Sequence, residues 1–93
     1  MLATFFHRPK SNKVDPRTLP CRPFDLDVDC DPDRGIEDIL KEAWSLGLPK
    51  GSARCGCVEI QTDDGIWSSS TNTRLNKRNA TFTTWEELEK QDD

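Results

Sequence analysis

Thiols and carboxylates are the side chains whose spacing in this sequence could support chemistry. Cys21, Cys30, Cys55 and Cys57 supply four sulfurs, enough for a tetrahedral zinc site. Their spacing departs from that of zinc knuckles, which set paired cysteines two to four residues apart. Here one residue separates Cys55 from Cys57, and eight separate Cys21 from Cys30. A Cys-x-Cys pair on a strand does place both thiols on one face. The competing readings are a disulfide and small core residues, because a free cysteine packs as a hydrophobe. The single histidine, His7, could replace one ligand, but it falls in a proline-rich N-terminal stretch where an exposed ring is expected.

The carboxylates are organised more clearly. Phe24-Asp25-Leu26-Asp27-Val28-Asp29-Cys30 alternates apolar and acidic residues without a break. Period 2 puts Phe24, Leu26, Val28 and Cys30 on one side of a strand and the aspartates on the other. Asp31, Asp33, Glu37 and Asp38 continue the acidic row. The spacing of Asp27, Asp29 and Asp31 resembles a calcium loop, but Pro32 stands where such a loop needs glycine and Asp38 where it needs a bidentate glutamate. The exposed face of a strand accounts for the same residues without a metal. Asp25, Asp27, Asp29, Asp31, Asp33, Glu37 and Asp38 are therefore the candidate partner-binding residues, a row of negative charge that can mimic a line of phosphates before a basic protein surface.

The alternative is basic. Arg74, Lys77 and Arg78 sit in a polar stretch flanked by Trp67 and Phe82, and cations beside aromatics can track a nucleic-acid backbone and stack bases. The chain as a whole carries a formal charge of -4, whereas nucleic-acid-binding domains show a basic excess. Catalytic constellations are scarce. A nucleophile–histidine pair must recruit His7, and no glycine-rich phosphate loop is present. The expectation is a non-enzymatic chain without a cofactor.

The elements that position these residues follow from periodicity and caps. Ile36, Ile39, Leu40, Ala43 and Trp44 mark a helix with one buried face, and Gly47 suits the position just past its end. Asp31 or Asp33 is the expected cap. Residues 54–62 form an expected strand, Asp63-Asp64-Gly65 a hairpin turn, residues 66–70 the returning strand and residues 71–79 a loop. Ala80–Thr83 is a further short strand. Thr84 and Glu87 form a capping box that opens a short C-terminal helix, whose tail is expected to fray. Leu2, Phe5 and Phe6 form an apolar patch that could be a short strand or an anchor on the core. Pro9, Pro16, Pro20 and Pro23 then argue against a helix or a central strand, so residues 1–23 read as an extended arm.

A chain of 93 residues with 33% hydrophobic content makes one small domain, here residues 24–93. The expected fold is α+β: a small, mostly antiparallel sheet of three to four strands packed by one main helix, with a possible parallel crossover between strands 24–30 and 56–62. No apolar run is long enough to span a membrane. The N-terminal apolar patch is shorter than a secretory leader and precedes its charges, so a cytoplasmic location is expected. Together these readings describe a small protein-binding adaptor or inhibitor whose acidic faces meet a larger protein with a basic surface. A nucleic-acid-binding or zinc-stabilised module is the alternative.

Overall fold

The computed structural model describes residues 2–11, 13–15, 18–51, 55–69 and 73–91. Arg54, Ser70, residues 71–72 and residues 92–93, which the sequence assigns to a strand start, a strand end, a loop and a tail, lie outside the described residues. The elements run β1 (Leu2–Arg8), β2 (Arg22–Asp27), a 3-10 turn (Pro32–Arg34), α1 (Ile36–Ser45), β3 (Gly56–Gln61), β4 (Gly65–Ser69), β5 (Ala80–Thr84) and α2 (Trp85–Gln91). The fold is α+β, as expected, but the sheet has five strands in the order β2-β1-β3-β4-β5, each pair antiparallel.

The largest departure from expectation lies at the N-terminus. Leu2–Arg8 is no arm but an interior strand, with β2 on one side and β3 on the other. Ala3 and Phe5 are buried on the face it turns to the core. The prolines that argued against a central strand all follow Arg8: Pro9 and Pro20 lie between β1 and β2, Pro23 lies within the edge strand β2, and Pro16 is outside the described residues. Inserting β1 also rules out the direct parallel β2–β3 pairing that the sequence left possible. Those two strands remain parallel to each other, but β1 lies between them, and the helix crosses from one to the other over it.

Helix α1 covers the inner face of the sheet. Ile36, Ile39, Leu40 and Ala43 are buried against Phe5, Val28, Ile60, Trp67 and Leu75. Its start differs from the expected cap. Asp31 caps the 3-10 turn instead, accepting the Asp33 N–H, and Gly35 opens α1 with φ at 86° and no side-chain cap. Its end is a Schellman closure: the Leu48 N–H donates to Ala43 O at 3.0 Å and the Gly47 N–H to Trp44 O at 3.3 Å, with Gly47 at φ 121°. Buried Leu48 then meets the helix end as that motif requires.

The capping box of α2 forms in both directions. The Glu87 N–H donates to Thr84 Oγ1 and the Thr84 N–H to Glu87 Oε2. Trp85 ties α2 back to the β3–β4 turn, its indole Nε1 donating to Thr62 O at 2.8 Å. No helix among the described residues is long and apolar enough to cross a membrane.

Candidate functional site

The first carboxylates are presented by β2, whose register against β1 pairs Phe5 with Phe24 and Thr4 with Asp25. Phe24 and Leu26 turn inward onto the core, and Asp25 and Asp27 turn outward. Thr4 Oγ1 donates to Asp25 Oδ1 at 2.7 Å, which fixes that side chain across the strand pair. The strand ends at Asp27, earlier than its alternation implied, because the chain turns toward the helix layer. Val28 and Cys30 nevertheless stay buried, so the inward phase of the pattern outlasts the hydrogen-bonded ladder.

Beyond β2 the acidic side chains build the turn that carries them. Asp29 Oδ1 accepts the Asp31 N–H, and Asp31 Oδ1 accepts the Asp33 N–H at 2.9 Å. Local bonds of this kind are the ordinary work of aspartate in turns. Arg34 is the cation within the run, and it is held locally. Its guanidinium donates to Asp29 O at 2.8 Å and lies 3.6 Å from a Glu42 carboxylate oxygen. Glu37 and Asp38 occupy the first turn of α1, where negative charge suits the helix dipole.

All seven candidate carboxylates are exposed. They do not share one flat face. Asp25 and Asp27 lie on the side of the sheet away from α1, Glu37 and Asp38 lie in the helix layer, and Asp29 to Asp33 bridge the two. The result is an acidic strip wrapped around the β2 edge.

The basic alternative is placed against this strip rather than apart from it. Leu75 is buried and its N–H donates to Cys57 O at 2.8 Å, so the 73–79 segment is pinned across the core. A methyl group at Gly56 would lie 3.0 Å from Arg74 Cδ, showing how closely the arginine stem passes over that backbone. Arg74 also shares a groove of about 320 Å³ with Glu37, Leu40, Lys41 and Trp44. Lys77 shares a recess of about 180 Å³ with Arg34, Glu37 and Asp38. The positive field of Arg74 and Lys77 therefore meets the acidic start of α1; Lys77 and Arg78 are both exposed, and Arg74 is half-buried. The flanking aromatics face elsewhere. Trp67 is 7% exposed in the core, and Phe82 packs on it with ring centroids 5.4 Å apart. Trp67 therefore offers no open face for base stacking, and Phe82 is partly covered.

The thiols do not assemble. Among the described residues no three histidine, cysteine, aspartate or glutamate side chains come together in a way that could hold a metal ion. Cys30, Cys55 and Cys57 are buried. Burial pushes the Cys30 thiol up to about 11 and the Cys57 thiol up to about 12. Cys21 is half-buried, accepts a long hydrogen bond from the Arg8 guanidinium at 3.7 Å, and lines an outer-face recess with Phe6, Val58 and Glu59.

His7 departs furthest from its sequence reading. It is 6% exposed, stands edge-on to Phe24 with ring centroids 6.0 Å apart, and its Nε2 meets no hydrogen-bond partner among the described residues. Burial, aided by the charge of Arg22 opposite it, lowers its pKa from the ordinary 6.5. The signal for this was present: Ala3, Phe5 and His7 alternate inward as a strand requires.

Comparison with protein-family models, curated proteins and solved structures finds no match to this chain. The functional reading rests on its geometry alone.

Proposed function

We propose that this chain is a non-catalytic adaptor or inhibitor that docks on a larger protein with a basic surface through Asp25, Asp27, Asp29, Asp31, Asp33, Glu37 and Asp38. The observation that carries this reading is the continuous exposed strip these residues make from the edge strand to the first turn of α1. Arg34, the cation within the strip, is already occupied by Asp29 O and Glu42. A strip wrapped around an edge suits insertion into a positively charged cleft, where charge complementarity sets partner choice and association rate.

The nucleic-acid alternative has less support. Arg74 and Lys77 share their grooves with Glu37, Trp67 is buried in the core, and Phe82 packs against it.

The test uses isosteric neutralisation, because Asp25, Asp29 and Asp31 also accept local hydrogen bonds. Asparagine keeps such an oxygen and removes the charge. Protein partners captured by the full chain should be lost when Asp25, Asp27, Asp29, Asp31 and Asp33 become Asn, and kept when Arg74, Lys77 and Arg78 become Ala. Loss of retained RNA or DNA in the second variant, with protein capture unchanged in the first, would overturn the proposal in favour of the basic loop.

A further inference from the structure

The two edges of the sheet are built differently. The Thr62 N–H donates to Gly65 O at 2.9 Å, which makes this the hydrogen-bonded pair that closes the β3–β4 turn. Hydrogen-bonded and non-hydrogen-bonded pairs alternate along antiparallel ladders. Carried through the registers, this alternation points the main-chain groups of Pro23, Asp25 and Asp27 away from β1, and those of Ala80, Phe82 and Thr84 away from β4. The Trp85 N–H bond to Asp64 O fits the same alternation.

The β2 edge is thus guarded by a proline that has no N–H and by two charged side chains, which is how natural sheets discourage pairing. The β5 edge, Ala-Thr-Phe-Thr-Thr, has no proline, no charge and no register shift against β4.

Part of that edge is occupied within the chain. The Ala80 N–H donates to Asn76 O at 3.0 Å, and the Thr84 N–H to Glu87 Oε2 at 3.1 Å. The main-chain groups of Phe82 remain at the centre, with no strand beyond them among the described residues.

We propose that β5 pairs antiparallel with β5 of a second copy of this chain, Phe82 opposite Phe82, to form a two-fold dimer with one continuous sheet. In this register the two Phe82 residues exchange N–H to carbonyl bonds. Thr81 stands across from Thr83 of the second copy on the outer face, and threonines are a favourable cross-strand pair. The partly buried Phe82 ring, already against Trp67, gains a symmetry-related neighbour on the core side.

The flanking charges are complementary in this arrangement alone. Lys77 and Arg78 precede β5, and Glu86 and Glu87 follow it, all four exposed. Antiparallel pairing about Phe82 sets the basic end of each copy beside the acidic end of the other, whereas parallel pairing would set like charges together. Trp85 ties the start of helix α2 to Thr62 and Asp64 at the β3–β4 turn, and Glu87 of α2 reaches the edge at the Thr84 N–H. Strand β5 lies at the opposite end of the strand order from β2, and Lys77 alone of the flanking charges shares a recess with Glu37 and Asp38, so the main-chain pairing does not depend on the proposed partner.

Sedimentation velocity of the full chain from micromolar to near-millimolar concentration tests the pairing. The wild type should pass from monomer to dimer, with the dimer weakened by added salt. Thr81→Lys with Thr83→Lys sets lysine opposite lysine twice and should raise the dimer dissociation constant about tenfold or more. Thr81→Lys with Thr83→Glu sets opposite charges across the axis and should restore dimerisation, showing that a loss in the first variant is not misfolding. A wild type that stays monomeric throughout, a double-lysine variant that dimerises as the wild type does, or a folded Lys/Glu variant that stays monomeric would each overturn the proposal.

Discussion

His7 shows what a single buried titratable ring does to the whole molecule. Its pKa is lowered from 6.5 by burial and then by Arg22. As pH falls below 6.5, the unfolded chain takes up a proton before the folded chain does, so stability falls with pH in that window. The urea midpoint should drop between neutral pH and pH 5.5, and His7→Phe should flatten the drop, although every carboxylate remains. An unchanged slope in the variant would place the acid sensitivity elsewhere. The thiols give the opposite sign. Burial pushes the Cys57 thiol up to about 12 and the Cys30 thiol up to about 11 in the folded chain, from an ordinary 9.0. Above pH 9 the unfolded thiols ionise while the folded ones stay protonated, so stability falls as pH rises through that range. Native alkylation at mildly alkaline pH should mark Cys21 first and spare Cys30, Cys55 and Cys57 until the chain unfolds, as read by mass spectrometry. Simultaneous labelling of all four would contradict the burial described here.

At the scale of elements, two glycines separate backbone strain from crowding. Gly47 has open space around it but φ at 121°, so Gly47→Ala should cost about 1 kcal/mol through the left-handed backbone alone. Gly65 lies against the β5 backbone, where an added methyl would strike Thr83 O and come within 2.8 Å of Thr84 Cα. Gly65→Ala should therefore cost roughly 2 kcal/mol or more, since β4 and β5 must separate to admit it. Equal losses in chemical denaturation would refute the distinction. The elements legible in the sequence were those fixed by local rules. The Ile36–Ala43 stripe, the Schellman glycine, the 63–65 turn and the Thr84–Glu87 box each depend on residues a few positions apart. Strand β1 was not legible, because its place between β2 and β3 depends on pairings far along the chain and its own apolar run is short. The helix cap was misplaced for a related reason: Asp31 and Gly35 both suit a helix start, and a 3-10 turn uses the first while α1 uses the second.

For the whole molecule, the acidic row was readable from alternation, but its shape was not. A strand pattern implies one flat face. The turn after Asp27 instead carries the row around the edge of the sheet into the helix layer, and it brings Lys77 and Arg74 against Glu37. Two readings that were separate in the sequence, an acidic surface and a basic loop, thereby become neighbours whose fields partly offset. Strand β2, where the strip begins, and the unguarded β5 edge lie at opposite ends of the strand order. The proposed recognition of a basic protein surface by carboxylates of the β2 edge and α1 start is tested most directly by affinity for a captured partner across ionic strength. Affinity of the wild type should weaken steeply with added salt, and the chain with Asn at 25, 27, 29, 31 and 33 should bind at least about tenfold more weakly with a much shallower salt dependence. Equal affinity and equal salt dependence in the two chains would contradict the account.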